Sequence, residues 1–176
     1  MINDSTSYVN YLYEEFRKQD RQEELDRNEM KLKFTKVKDV KSPVRAHETD
    51  AGIDFFVPED FKPTAIHSGE DILIDSGIKV LVPRGYALIF KEKSGVATKK
   101  KLTLGASVVD SDYRGTVHFH MFNNGAIPQA VYPGEKIVQG LVVPISLCST
   151  EEISNEEYAE NETDRGDGGF GSSGDR

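Results

Sequence analysis

The stretch LGASVVDSDYRG, residues 104–115, sets two carboxylates and a phenol on a turn between β-type runs. Asp110 and Asp112 lie two apart, so they share one side of extended chain. A carboxylate placed by a rigid β-hairpin can act as general base on water. Tyr113 follows at once, and its ring can pack on a sugar and sense a 2′-hydroxyl. Aspartate also makes turns for local reasons. That accounts for Asp110 and Asp112, but not for Tyr113 or the glycines.

Three other segments interrupt the strand pattern. In DAGIDFF (50–56), Asp50 and Asp54 flank a glycine inside an apolar run. A carboxylate facing a core is costly unless paired or near a cation. The plain reading makes Asp50 a turn cap and puts Asp54 on an outward face. In KEKSGVATKKK (91–101), a Ser-Gly step among five lysines offers backbone N–H groups, a hydroxyl and positive charge to phosphate. The same composition also describes a solvated basic loop, and the Walker A spacing is missing. In PGEKIVQGLVVP (133–144), Gln139 is an amide inside an apolar strand and needs partners. Structural glue and a phosphate contact are equal readings of it. His118 and His120 have i, i+2 spacing, but no third ligand has recognisable spacing, so they read as the polar face of a strand.

The elements that must position these groups fall into three sections. Residues 1–30 read as a helical extension, with Val9, Leu12 and Phe16 on one short apolar face and a nearly all-polar remainder. That face is either exposed or docked on a neighbour, and a protein contact through residues 1–30 is an open role. Residues 31–148 read as short strands separated by Pro, Gly and Asn turns, the pattern of a sandwich, jelly roll or barrel. In TVHFHMF, Val117, Phe119 and Met121 face one side, His118 and His120 the other. Residues 149–176 turn acidic and then glycine-rich; composition alone calls them disordered. Yet that end carries Arg165, Phe170 and two serines.

Bulk properties narrow the function. The net charge of −8 excludes a general basic surface for nucleic acid or an anionic membrane. An anionic ligand must meet a local cluster of cations and N–H groups. A single cysteine, Cys148, rules out an intramolecular disulfide and points to a reducing compartment, hence a cytoplasmic location, or the host cytoplasm for a viral protein. No apolar run approaches the roughly 18 residues of a membrane span, and no secretory signal pattern opens the chain.

Taken in order, the segments resemble the five motifs of the trimeric dUTPases. DAGIDFF resembles motif one, KSGVA (93–97) motif two and GASVVDSDYRG (105–115) motif three. GEKIVQ (134–139) resembles motif four and RGDGGFGSSG (165–174) motif five. The resemblance spans residues 31–176; VVDSDYRG and RGDGGFGSSG are its most specific parts. This chain departs from the family with Lys93 and Lys136 where arginines are usual, Ser107 where glycine is common, and Val138 for alanine. Lysine keeps the charge of arginine but loses the planar fork.

The resemblance implies an all-β jelly roll of the β-clip type, assembled as a homotrimer with active sites shared between subunits. It implies Mg²⁺-dependent hydrolysis of dUTP to dUMP and pyrophosphate, which limits uracil in DNA and supplies dUMP for dTTP synthesis. Asp110 is then the base for water attacking the α-phosphorus, and Tyr113 stacks on deoxyribose. The backbone from Gly105 and Ala106 to Val109, with the region of His118, reads uracil. Lys93, Ser94, Gly95 and Gln139 hold the phosphates, and Asp54 meets Mg²⁺ through water. The C-terminal arm closes a neighbour's site, with Arg165 on the γ-phosphate, Phe170 over the uracil, Gly171 in close approach, and Ser172 and Ser173 donating to phosphate. Two rivals remain: a dCTP deaminase, which shares the fold but uses a glutamate in another hairpin motif, and a catalytically idle trimer that binds a protein partner.

Overall fold

The computed structural model describes residues 4–164, 166 and 168. It contains two units, residues 1–145 and 146–176. The first begins with a helix, α1 (Asp4–Glu29). Its apolar residues Val9, Leu12 and Phe16 are exposed on the single chain.

Among the described residues ten strands follow, the first five being β1 (Lys33–Lys36), β2 (Ile53–Phe56), β3 (Thr64–Ile66), β4 (Asp71–Leu81) and β5 (Tyr86–Glu92). After a π-helical turn (Val96–Lys100) come β6 (Leu102–Leu104), β7 (Val108–Val109), β8 (Thr116–Asn123), β9 (Gln129–Val131) and β10 (Lys136–Pro144). Two four-stranded sheets form, in the orders β1-β4-β8-β6 and β2-β10-β5-β7, with a small β3-β9 pair beside them. All pairings between strands are antiparallel.

The alternation read from TVHFHMF is present in β8. Val117, Phe119, Met121 and Asn123 are buried, while His118 and His120 are half-buried on the other face. Phe119 of the first sheet meets Phe55 and Phe90 of the second in edge-to-face contacts, with centroids 6.3 and 5.4 Å apart. This geometry suits the aromatic quadrupole and fills the space between sheets. Asn123 enters that core fully satisfied: its amide donates to the Ile66 and Ile127 carbonyls at 2.8 Å each and accepts from the Gly125 N–H.

Residues 105–115 are not the hairpin expected from their pattern. β7 pairs with β5 in the second sheet, with Val109 opposite Leu88, whereas β8 pairs with β4 and β6 in the first. The true neighbours are β6 and β8. The loop between them crosses to the other sheet, where Ser107 also accepts from the Phe90 N–H at 2.8 Å. Two residues of β structure make a poor strand alone, so the edge of β5 decides where they pair. The loop is thereby tied to both sheets.

Among its described residues the second unit holds one short helix, α2 (Asn155–Ala159), capped by the Ser154 hydroxyl accepting from the Glu157 N–H at 3.1 Å.

Candidate active site

Asp54 sits in β2 and is buried, so it does not lie on an outward face. The reason is pairing. The Lys93 ammonium donates to its Oδ1, and the Lys136 ammonium donates to its Oδ2 at 3.0 Å. Lys136 opens β10, the direct neighbour of β2, and Lys93 follows the end of β5, on the far side of β10. Burial pushes the Asp54 carboxyl upward, but the two lysines overcome this and hold it below the usual aspartate range. Asp50 does what the plain reading says: its carboxylate accepts from the His47 N–H at 3.0 Å and caps a turn.

Lys93 and Lys136 also line a pocket of about 400 Å³ with Ser94, Gly95, Lys99, Lys100, Glu135 and Gln139. Lys100 is bound to Glu135 and donates to the Ala130 carbonyl at 3.0 Å. Four lysines line the pocket against Glu135, with Asp54 behind Lys93 and Lys136, so the pocket carries net positive charge on an acidic protein. Gln139 acts as structural glue, since its amide donates to the Glu92 carbonyl at 3.0 Å. Its side chain packs directly on Gly52, where an added Cβ would collide with the amide. It also lines the pocket. The Glu92 carboxylate accepts from the Leu104 N–H at 2.8 Å, and that bond holds its carboxyl below the usual range.

A second cavity, of about 180 Å³, is lined by Ala106, Ser107, Val108, Val109, Asp110, Tyr113, Thr116 and His118, with Phe90 and Val117 behind. It lies on the loop that bridges the sheets. Asp110 is exposed, and its carbonyl accepts from the Tyr113 N–H at 3.3 Å. The Tyr113 hydroxyl donates to the Thr116 carbonyl at 3.0 Å, which closes the turn and fixes the ring. Gly115 lies against that ring, where a Cβ would strike the phenol oxygen. His118 Nδ1 is 2.9 Å from the same carbonyl, which sets the ring proton on Nδ1.

The residues expected from the sequence therefore gather in two places. Lys93, Ser94, Gly95 and Gln139 line the cationic pocket beside Asp54; Ala106, Val109, Asp110, Tyr113 and His118 line the smaller cavity. Gly105 stands at the root of the bridging loop, with its N–H on the His120 carbonyl at 2.9 Å. Arg165, Phe170, Gly171, Ser172 and Ser173 lie outside the described residues. Lys99, Lys100 and Glu135 are additions that single motifs did not single out. The Lys99-Lys100 pair was visible as charge, but its pocket was not. Lys136 entered only as a departure from a pattern, and its partner is 82 residues away.

Among the described residues no cluster of three His, Cys, Asp or Glu side chains could cage a metal. Asp54 keeps acceptor capacity, because its two lysine bonds use only part of its roughly four lone-pair sites. This fits a magnesium ion carried by substrate phosphates and touched by the protein through water. Among the described residues, no helix is long and apolar enough to cross a membrane.

The dUTPase family model matches residues 38–174. The chain is 35% identical over 151 residues to the deoxyuridine 5′-triphosphate nucleotidohydrolase of Corynebacterium jeikeium, covering 84% of this chain and 95% of that protein. It is 37% identical over 136 residues to the Mycobacterium leprae enzyme of the same name, covering 75% and 86%. Its fold is similar to that of a dUTPase variant from Staphylococcus bacteriophage 80alpha with bound dUpNHpp. That match has a TM-score of 0.72 and 24% identity, over 82% of this chain and 98% of that one.

Proposed function

The chain belongs to the dUTPase family, and we propose that it hydrolyses dUTP to dUMP and pyrophosphate at a site completed between subunits of a homotrimer. The family assignment carries the reaction; the two pockets support its layout. The cationic pocket and the Asp110–Tyr113 cavity share no lining residue. One suits phosphates and the other a nucleoside, and a neighbouring chain can bring them together.

In this reading Asp110 takes the proton from the water that attacks the α-phosphorus in line. Its exposure on the single chain leaves the carboxylate free to meet that water. Tyr113 presents a ring already fixed by Thr116, so deoxyribose stacks with no side-chain ordering to add. A ribose 2′-hydroxyl has no room against it. The backbone from Gly105 to Val109, with His118, recognises the uracil edge; mismatched donors and acceptors reject cytosine strongly. Ser94, Gly95 and Gln139 hold the phosphates, and Lys99 and Lys100 add positive charge around them. Lys93 and Lys136 act mainly through Asp54, which they hold ionised. The substrate phosphates, with Asp54 acting through water, would hold a Mg²⁺ ion, which would supply positive charge to offset that of the leaving pyrophosphate. Arg165, Phe170, Gly171, Ser172 and Ser173 are assigned the lid, on the strength of the motif resemblance alone.

Pyrophosphate release from dUTP, dCTP, dTTP and UTP with Mg²⁺ tests the assignment. Preferential cleavage of dUTP is expected. Ammonia from dCTP, or silence on every nucleotide, overturns it. Asp110→Asn should lower turnover by about 10²–10⁴-fold while nucleotide binding persists; normal turnover removes Asp110 from its role. Light scattering should return three chain masses.

A further inference from the structure

His120 lies on the face of β8 opposite the core, outside both pockets, yet it touches the root of the loop that carries Asp110 and Tyr113. Its carbonyl accepts from the Gly105 N–H at 2.9 Å. Its Nδ1 accepts from the Ala106 N–H at 3.4 Å, and its Nε2 lies 3.0 Å from Asp71 Oδ2 on β4. The ring also rests on Phe122, with centroids 4.5 Å apart. Gly105 packs so closely on the imidazole that a Cβ there would run into Nδ1 and the Phe122 ring. One side chain thus joins β4, β8 and the first two residues of the bridging loop.

The bonding pattern dictates the tautomer. A backbone N–H can only donate, so Nδ1 must present its lone pair to Ala106. The ring proton then sits on Nε2 and points at the Asp71 carboxylate. Asp71 sets the proton, and the proton's position makes Nδ1 an acceptor. Ala106 lines the nucleoside cavity, followed by Ser107, Val108 and Val109. The height at which Ala106 is pinned decides where that backbone stands relative to the base.

We infer that the Asp71–His120 pair is a positioning device for the base-reading backbone, with His120 Nδ1 holding the Ala106 N–H in register. This rests on reading the Asp110–Tyr113 cavity as the nucleoside site. The pair touches no substrate. It acts on ground state and transition state alike, so its loss should appear in KM rather than kcat.

Three variants test it in the full-length enzyme. His120→Phe keeps a ring against Gly105 and Phe122 but removes the acceptor. Its KM for dUTP should rise about 3–10-fold, the worth of one hydrogen bond, with kcat within about twofold. The preference for dUTP over dTTP, measured as a ratio of kcat/KM, should fall by a similar factor. His120→Asn places an amide oxygen near the Nδ1 position and should restore most of that ratio. Asp71→Ala frees the tautomer and should lie between them. In the wild-type enzyme, ¹⁵N correlation spectra of the His120 ring should show the proton on Nε2. An Nδ1-protonated ring overturns the inference, and this measurement decides it if His120→Phe does not fold. Unchanged KM and selectivity in a folded His120→Phe also overturn it, while dUTP cleavage by the wild type leaves the functional assignment standing. A wild-type protein inert on dUTP overturns both.

Discussion

Replacing Asp54 by asparagine removes the carboxylate that pairs with both Lys93 and Lys136. The amide keeps an acceptor for one ammonium but turns an NH₂ donor toward the other. The two losses are unequal. The Lys93 side chain is 29% exposed and the Lys136 side chain 45%. Lys136 can turn to water, so its share is discounted to the value of a surface pair, about 0.2–1 kcal/mol. Lys93 is more enclosed and loses a charge-assisted hydrogen bond worth about 1.5–3 kcal/mol. The expected destabilisation of Asp54→Asn at neutral pH is therefore about 2–4 kcal/mol.

The pH dependence follows from the direction of the Asp54 shift. Its carboxyl titrates lower in the folded protein than in the unfolded chain. The stability this confers is fully present above the ordinary aspartate value, about 3.9, and is lost as pH falls through the lower folded value. Asp75 and Glu92 are shifted the same way, but they are present in both proteins and cancel in the difference. Urea unfolding of wild type and Asp54→Asn, at one fixed protein concentration because the proposed trimer would add to stability, should show a gap that is flat near neutrality. The gap should narrow as pH drops below the ordinary aspartate range. A gap below about 0.5 kcal/mol, or one of constant size across that range, refutes the reasoning.

Two further outcomes concern the loop after motif two and the C-terminal arm. Lys101 closes the π-helical turn with φ 56°, the one non-glycine residue at positive φ among those described. Lys101→Gly should relieve left-handed strain of about 1–2 kcal/mol, partly offset by glycine's entropy, and raise the urea midpoint; a lowered midpoint would show that its side-chain packing near Gly125 matters more. Deleting residues 165–176 should cripple dUTP turnover while the circular dichroism of the β core and the number of chains per particle stay unchanged. Full activity after the deletion would remove Arg165 and Phe170 from the site.

Much of this protein is legible residue by residue. The two-residue period of TVHFHMF names the buried face of β8, because alternation is a property of neighbours along one strand. The glycine and serine motifs and their order mark the family, and Tyr113 next to Asp110 marks a turn with more to do than turn. Lys93 and Lys136 announce positive charge without naming its partner. What tertiary structure decides is pairing at a distance. The Lys93–Asp54 and Lys136–Asp54 contacts span 39 and 82 residues and exist only because β10 packs between β2 and β5 in one sheet. The 105–115 segment has hairpin composition, but its two-residue strand pairs with Leu88 and Ile89, so it bridges the sheets instead. The imidazole of His120 meets Ala106 because β6 pairs with β8, with Leu104 opposite Met121. Local period and turn chemistry are written in adjacent residues; which edge is free to receive a strand, and which cation reaches a buried carboxylate, is settled only when the sheets pack.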